Sequence, residues 1–188
     1  MSAPLLAAAH ATASLLGVLD NGALWWGLAA CGSAQLSKLF IELAVHRRWN
    51  PKVLVETGGM PSSHSALLTG TAACLGWQQG FDSPLFALAA ALCFVVLYDA
   101  SGVRRAAGLT AARVNGLPTA LWPSDRSSAT EAAEPAAASL KPLKENLGHT
   151  RLEVLVGSLM GPLVALPGLV WVGSPLVLAQ HWGLLSVG

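Results

Sequence analysis

Four apolar stretches separated by short polar segments are the feature that most limits the fold of this chain. They cover residues 23–45, 61–79, 84–101 and 152–171, and each is close to the roughly 20 apolar residues that a helix needs to cross a bilayer. Of the 188 residues, 53% are hydrophobic and 11% are charged, whereas a soluble domain has about 25% charged residues. The sequence therefore predicts an all-α integral membrane protein, a polytopic helix bundle in a single domain.

The two ends of the chain are apolar but shorter than these stretches. Residues 3–19 could lie along the membrane interface or span it marginally, and they lack the basic residues that begin a secretory signal. Residues 174–187 could form a fifth, tilted span or a re-entrant segment, because Pro167 and Pro175 interrupt the region. We therefore predict four or five transmembrane helices.

The basic residues are confined to the middle of the chain. All 11 Lys and Arg residues lie between Lys38 and Arg151. Lys38 is near the end of the first span, and the others lie in the loop between the first two spans and in the segment 102–151. Two spans separate these loops, so the loops share a side of the membrane, and the positive-inside rule makes that side cytoplasmic. The second loop is rich in Ala, Ser and Pro over 117–140, which predicts a mobile cytoplasmic loop at 106–140.

Three polar segments are predicted to meet at the cytoplasmic ends of the spans. Residues 57–65 (TGGMPSSHS) enter the second span, residues 98–105 (YDASGVRR) leave the third, and residues 144–153 (KENLGHTRLE) enter the fourth. Ionisable residues at the membrane edge are unfavourable there and tend to be functional. Two of these segments begin helices, whose N-termini offer free N–H groups and partial positive charge. The sequence therefore predicts a phosphate site at this edge.

The expected phosphate ligands are backbone amides, hydroxyl groups and cations. Glycines let the backbone approach a ligand closely, and the serines next to Pro61, which suits the first helical position, can cap a helix. The candidate substrate-binding residues are Lys38, Gly58, Gly59, Ser62, Ser63, Asp99, Arg104, Arg105 and Lys144. We expect Asp99 to act mainly by pairing with Arg104 or Arg105.

Two histidines and one glutamate are the candidate catalytic residues. His149 and Glu153 stand four apart, so a helix places them on one face. A carboxylate bonded to one imidazole nitrogen fixes the tautomer and raises the basicity of the other nitrogen, which suits His149 to attack phosphorus. His64 could then protonate the leaving oxygen. No metal or other cofactor is required, because N–H groups and cations can balance the developing charge.

These motifs resemble the divergent branch of the type 2 phosphatidic acid phosphatase superfamily, which also includes vanadium-dependent haloperoxidases. The resemblance rests on GGMPSSHSA at 58–66, DASGVRR at 99–105 and LGHT at 147–150. It runs from about Gln35 to Gly157, without 117–140. It implies a small membrane protein of a bacterial inner, thylakoid or plastid membrane. It also implies hydrolysis of a lipid phosphate through a phosphohistidine intermediate.

The chain departs from the superfamily pattern mainly at the arginines. The superfamily carries K-x6-R-P, P-S-G-H and S-R-x5-H-x3-D. Here Ser63 replaces the glycine of the second motif, and Glu153 replaces the aspartate of the third. Pro142 and Leu143 stand where the third motif has Ser-Arg, and Lys38 is the natural lysine of the first. Candidates for the missing arginines are Arg47, Arg48, Arg104, Arg105 and Lys144.

The predicted activity is hydrolysis of a phosphomonoester or diphosphate headgroup, with the active site facing the cytoplasm. That face favours phosphatidylglycerophosphate or phosphatidate as substrate; an inverted topology would favour prenyl diphosphates. A second alternative is a catalytically inactive membrane protein that binds phospholipid headgroups or a partner through its basic face. Simpler roles remain open too, because Arg104 and Arg105 could merely set topology and Lys38 could extend to lipid headgroups. The bundle could pair with itself, and no nucleic acid partner is expected.

Overall fold

The structure, a computed structural model, describes residues 15–47, 49–54, 59–117 and 142–184. Within these residues the chain is helical and contains no strand, which confirms the predicted all-α class. The helices in chain order are α1 (Leu15–Leu19), α2 (Gly22–His46), α3 (Ser63–Gln79), α4 (Pro84–Ser101), α5 (Val103–Asn115), α6 (Arg151–Trp171) and α7 (Pro175–His181). A 3-10 turn, Pro51–Leu54, lies between α2 and α3.

Three stretches of the described chain are long and apolar enough to cross a membrane: Gly22–Val45, Pro84–Asn115 and Arg151–His181. The predicted span at 61–79 corresponds to α3, which has 17 residues. At 1.5 Å per residue it is about 25 Å long, slightly shorter than the roughly 30 Å hydrocarbon core. Helix α3 is central in the bundle because it packs against α2, α4 and α6.

Small residues let α3 and α6 approach each other closely. A Cβ atom added to Gly161 of α6 would lie 2.7 Å from the backbone nitrogen of Gly70 on α3, and one added to Gly70 would lie 3.1 Å from the carbonyl oxygen of Gly161. Membrane helices associate largely through such close packing, because lipid offers no hydrophobic driving force between them. The contact fixes α3 against α6 and brings the first turns of both helices to the same end of the bundle.

The opposite end of the bundle is held by two side-chain hydrogen bonds. The indole Nε1 of Trp26 donates to the carbonyl oxygen of Gly173 at 2.7 Å, and the hydroxyl of Ser174 donates to Asp20 Oδ1 at 2.7 Å. The possible fifth span at 174–187 contains α7, which has only seven residues and is too short to cross a bilayer alone. Residues 185–188 and 1–14 lie outside the described part.

The predicted loop at 106–140 begins later than expected. Residues 106–115 belong to α5, a segment rich in Ala and Arg, which are strong helix formers. Gly102 separates α5 from α4, and its backbone N–H donates to the carbonyl oxygen of Tyr98 at 2.8 Å. Residues 118–141 lie outside the described part of the chain. The correction matters for the site, because α5 supports the segment that leads to His149.

Candidate active site

The three polar segments meet at one end of the bundle through backbone hydrogen bonds. The N–H of Ser62, just before α3, donates to the carbonyl oxygen of Glu153 on α6 at 3.1 Å. The N–H of His149, just before α6, donates to the carbonyl oxygen of Ala100 near the end of α4 at 2.9 Å. Segments distant in sequence therefore share one end of the bundle.

Charged and ionisable side chains from these segments and from α2 lie near one another at this end. His64 interacts electrostatically with His149, Arg104 and Lys38. Lys38, on α2, also interacts electrostatically with Glu153. Four elements, α2, α3, α6 and the junction of α4 and α5, thus contribute to one polar cluster.

Glu153 is fixed by the N-terminal cap of α6 and holds the ring of His149. Its backbone N–H donates to Thr150 Oγ1 at 3.2 Å, while its Oε2 accepts from the N–H of Thr150 at 3.1 Å. These reciprocal bonds form a capping box. The same Oε2 lies 3.0 Å from His149 Nδ1. Because a carboxylate only accepts hydrogen bonds, Nδ1 of the neutral ring carries the proton and Nε2 carries the lone pair.

Lys38 is buried inside the bundle rather than extended to the lipid surface. Only 4% of the residue is exposed, which argues against the interpretation that it reaches out to headgroups. A buried ammonium group is unfavourable unless negative charge lies nearby. Glu153 supplies part of that charge. The position is suited to stabilising an anion bound beside His64 and His149.

Ser62 is the N-cap of α3, and its side chain is buried rather than exposed at the site. Ser62 is fully buried, and its Oγ accepts from the backbone N–H of Ser65 at 3.4 Å and from the Ser65 hydroxyl at 2.9 Å. Helix α3 therefore begins at Ser63, and Pro61 precedes the cap, so the prediction that Pro61 occupies the first helical position was wrong. Ser63 is also buried, at 4% exposure. The Ser62 hydroxyl is therefore used inside the cap of α3.

Gly157 is a site-forming residue that sequence reasoning missed. A Cβ atom at this position would lie 3.0 Å from the backbone nitrogen of Ser62 and would also clash with the Ser62 carbonyl oxygen. Its absence lets the start of α3 lie directly on the first turns of α6. A glycine inside an apolar span indicates that another segment packs closely there, but it does not identify which segment.

A sequence profile described as the Divergent PAP2 family matches residues 19–164, which covers most of the chain and every candidate catalytic residue. The chain belongs to the divergent PAP2 family. This confirms the resemblance carried by its motifs. The "Uncharacterized membrane protein YuiD" of Bacillus subtilis (strain 168) is 38% identical over 151 residues, which cover 79% of this chain and 94% of that protein. No solved structure matches the chain.

In this divergent PAP2 protein, Arg104, an exposed arginine that interacts electrostatically with His64, is paired with an acid. Arg104 Nε lies 2.5 Å from Asp99 Oδ2, and the two side chains are 63% and 34% exposed. The predicted pairing of Asp99 is therefore present. Arg105 and Lys144 are exposed. Lys38 is thus buried, whereas Arg104, Arg105 and Lys144 are exposed.

The remaining candidate residues of this divergent PAP2 protein are exposed or lie outside the described part. Gly59 is exposed with φ of 77°, and a Cβ there would meet no atom within 4 Å. Gly58 lies outside the described residues. Arg47, a candidate for the missing first-motif arginine, ends α2 with φ of 52° and is exposed, while Arg48 also lies outside. Within the described residues, no three His, Cys, Asp or Glu side chains are grouped as metal ligands.

Proposed function

We propose that this divergent PAP2 protein is a metal-independent lipid phosphate phosphatase that hydrolyses a phosphomonoester or diphosphate headgroup at the cytoplasmic face. The observation that carries the proposal is the 3.0 Å contact between His149 Nδ1 and Glu153 Oε2, made where α6 begins. That contact leaves Nε2 as the nucleophilic nitrogen. Phosphatidylglycerophosphate and phosphatidate are the favoured substrates.

The reaction has two steps with His149 and His64 in separate roles. In the first, Nε2 of His149 attacks phosphorus, the bond from phosphorus to the lipid oxygen breaks, and protonated His64 gives its proton to the departing oxygen. In the second, a water molecule attacks the phosphohistidine while neutral His64 takes a proton from that water. Inorganic phosphate leaves, and both histidines return to their starting forms.

Charge on the phosphoryl oxygens is balanced by Lys38 and by helix ends. Lys38 is buried and interacts electrostatically with His64 and Glu153, and a low local dielectric strengthens its attraction for an anion. The N-termini of α3 and α6 add partial positive charge at the same end of the bundle. Arg104 can contribute from its exposed position while paired with Asp99. This arrangement supports catalysis without a metal ion.

The substrate preference follows from the proposed orientation. Exposed basic residues surround the site end of the described bundle, which favours a cytoplasmic location for this end. A lipid in that leaflet could bring its headgroup to the helix ends without leaving the bilayer. Phosphatidylglycerophosphate and phosphatidate present a terminal phosphate at this depth, whereas prenyl diphosphates become the better candidates if the orientation is reversed.

A non-catalytic function is the second candidate, and the position of Arg104 favours it. An arginine that is 63% exposed and already paired with Asp99 is not dedicated to clamping a transferred phosphoryl group. Such a protein would bind phospholipid headgroups or a partner through its basic face. The two candidates differ in one measurable property, the release of inorganic phosphate.

The test uses the purified full-length protein in detergent with a chelator present. Phosphate release is measured on phosphatidylglycerophosphate, phosphatidate and a prenyl diphosphate. We expect release by the wild type and its loss in both His64→Ala and His149→Ala, while the exposed His181→Ala control at the far end of the bundle keeps it. Release that persists in both active-site variants would exclude the mechanism. Headgroup binding without release from any lipid would support the second candidate.

A further inference from the structure

Residues 142–149, called the strap below, carry His149 to the site without regular secondary structure. The strap has no helical hydrogen bonds of its own, so the position of the His149 ring depends on how the strap is attached to the neighbouring helices. One attachment is at its end, where the His149 N–H bonds to the carbonyl oxygen of Ala100 at 2.9 Å. The others are made along α5.

Asn115, the last residue of α5, holds the beginning of the strap with its whole amide group. Its Nδ2 donates to the carbonyl oxygen of Leu143 and to Glu145 Oε1, both at 2.8 Å. Its Oδ1 accepts from the backbone N–H of Leu143 at 2.9 Å. Both donors and the acceptor of one side chain are therefore used on two strap residues.

The middle of the strap lies flat on the same helix. A Cβ at Gly108 would lie 2.5 Å from the carbonyl oxygen of Glu145 and 2.8 Å from that of Leu147. Near the end of the strap, Gly148 has φ of 78° and lies against the backbone of Arg104 and Arg105. These close approaches depend on glycine at both positions and set how near the strap lies to α5. The amide of Asn115 recognises particular backbone and side-chain atoms, so it defines the register.

We propose that Asn115 is a positioning residue that sets the register of the strap and thereby holds the His149 ring against Glu153. Asn115 does not touch the reacting atoms and acts through His149 alone. Its value for catalysis rests on the proposed function, in which His149 is the nucleophile. Its effect on the exposure and mobility of the His149 ring does not depend on the proposed function.

The first test measures that ring directly. Full-length protein in detergent is treated with diethyl pyrocarbonate, and the rate of carbethoxylation at each histidine is followed by mass spectrometry. His149 is only 6% exposed, so its reaction depends on local opening of the strap. We expect a roughly three- to tenfold faster reaction at this residue in Asn115→Ala, because losing hydrogen bonds makes such opening more frequent by about this factor. The rate at His64 should not change.

A matched control separates this effect from a general change in α5. Thr110 lies on the same helix, and its hydroxyl bonds only to the carbonyl oxygen of Ala106 within it. Thr110→Ala should leave the His149 rate within about twofold of wild type, because it removes one local hydrogen bond and no strap contact. An unchanged His149 rate in Asn115→Ala, or an equal rise at His64, would overturn the proposal.

A compensating pair keeps the proposal testable if Asn115→Ala folds poorly. Asn115→Asp loses both donations and places a carboxylate beside Glu145, so the His149 rate should rise. Adding Glu145→Gln supplies an amide that can donate to the new carboxylate at position 115, which still accepts from the Leu143 N–H. We expect the double variant to return toward the wild-type rate. If His149 is carbethoxylated as fast in the double variant as in Asn115→Asp, the proposed register contact is contradicted.

Enzyme kinetics provide a second readout that can fail separately. If the protein releases phosphate, Asn115→Ala should lower kcat and leave KM within about twofold, because the residue does not contact substrate. A fall in kcat with an unchanged His149 modification rate would overturn the positioning role. If the wild type shows no phosphatase activity, the proposed function fails, while the carbethoxylation rates still decide whether Asn115 positions His149.

Discussion

His149 Nδ1 and Glu153 Oε2 lie 3.0 Å apart at the start of α6, and the oxygen that meets the imidazole also closes the capping box with Thr150. The helix cap and the proposed nucleophile therefore share one carboxylate. Since the cap fixes the carboxylate, the ring is held in one tautomer before any substrate arrives, which is the kind of preorganisation that catalysis favours.

Glu153→Gln should separate the two roles of this carboxylate. Glutamine can still form a capping box, so the change in unfolding free energy should stay below about 1 kcal/mol. The lost negative charge should lower kcat by roughly 10- to 100-fold, because this factor corresponds to the free energy of one charge-assisted hydrogen bond. Phosphate release and thermal unfolding measure the two effects. Thr150→Ala, which removes the cap acceptor and keeps the carboxylate, should show the opposite pattern, and equal losses of activity in both variants would contradict the assignment.

Lys38→Met should remove activity without unfolding the protein. The side chain is 4% exposed, and methionine fills its space with an apolar group of similar length. Glu153 keeps its hydrogen bonds to Thr150 and His149, so its carboxylate is not left without partners when Lys38 is removed. Loss of a preorganised group that stabilises the transferred phosphoryl should lower kcat by about 100-fold or more. The exposed Arg113→Met serves as the control for removal of a cation from the same region. Comparable phosphate release by the two variants would rule out a catalytic role for Lys38.

Gly157→Ala should destabilise the bundle at the site end. Its new Cβ would lie 3.0 Å from the Ser62 nitrogen and closer still to the Ser62 carbonyl oxygen, and overpacking of this kind costs about 1–3 kcal/mol. Gly32→Ala is the matched control, because a Cβ there meets no atom within 4 Å and alanine favours a helix by about 0.5–1 kcal/mol. The thermal unfolding temperature in detergent should be equal to or higher than that of wild type in Gly32→Ala and lower in Gly157→Ala. A Gly157→Ala protein as stable as wild type would show that α3 and α6 do not pack this closely.

The orientation in the membrane can be tested with single cysteines. Met60 is 41% exposed at the site end, and Asp82 is exposed between α3 and α4 at the other end. In a variant without the three natural cysteines, Met60→Cys should react with a membrane-impermeant maleimide only after the cells are opened. Asp82→Cys should react in intact cells. The reverse pattern would place the site outside and favour prenyl diphosphate substrates.

The shared location of the three motifs could be predicted from the sequence because it depends on topology. Basic loops on both sides of a pair of spans must face the same compartment, so the segments before α3, after α4 and before α6 meet at one end. The pairing of His149 with Glu153 was equally accessible, since a spacing of four places two side chains on one helix face. Both inferences need only local spacing and the number of spans.

Other features of the site depend on contacts that no local pattern specifies. Ser62 is buried because Gly157, far along the chain, lets α3 lie on α6. Asn115 bonds Leu143 across a sequence separation of 28, and the residues next to an asparagine at a helix end do not predict that partner. The missing arginines likewise could not be assigned by spacing, since burial, rather than sequence position, distinguishes Lys38 from Arg104.

Trapping the covalent intermediate tests the central claim most directly. The purified protein is mixed with phosphatidate or phosphatidylglycerophosphate carrying a labelled terminal phosphate, and the reaction is stopped in alkaline detergent, which preserves phosphohistidine. Mass spectrometry should locate the label on His149 in the wild type and find none in His149→Ala. Phosphate release at the wild-type rate without any label on His149, and equally in His149→Ala, would contradict the account.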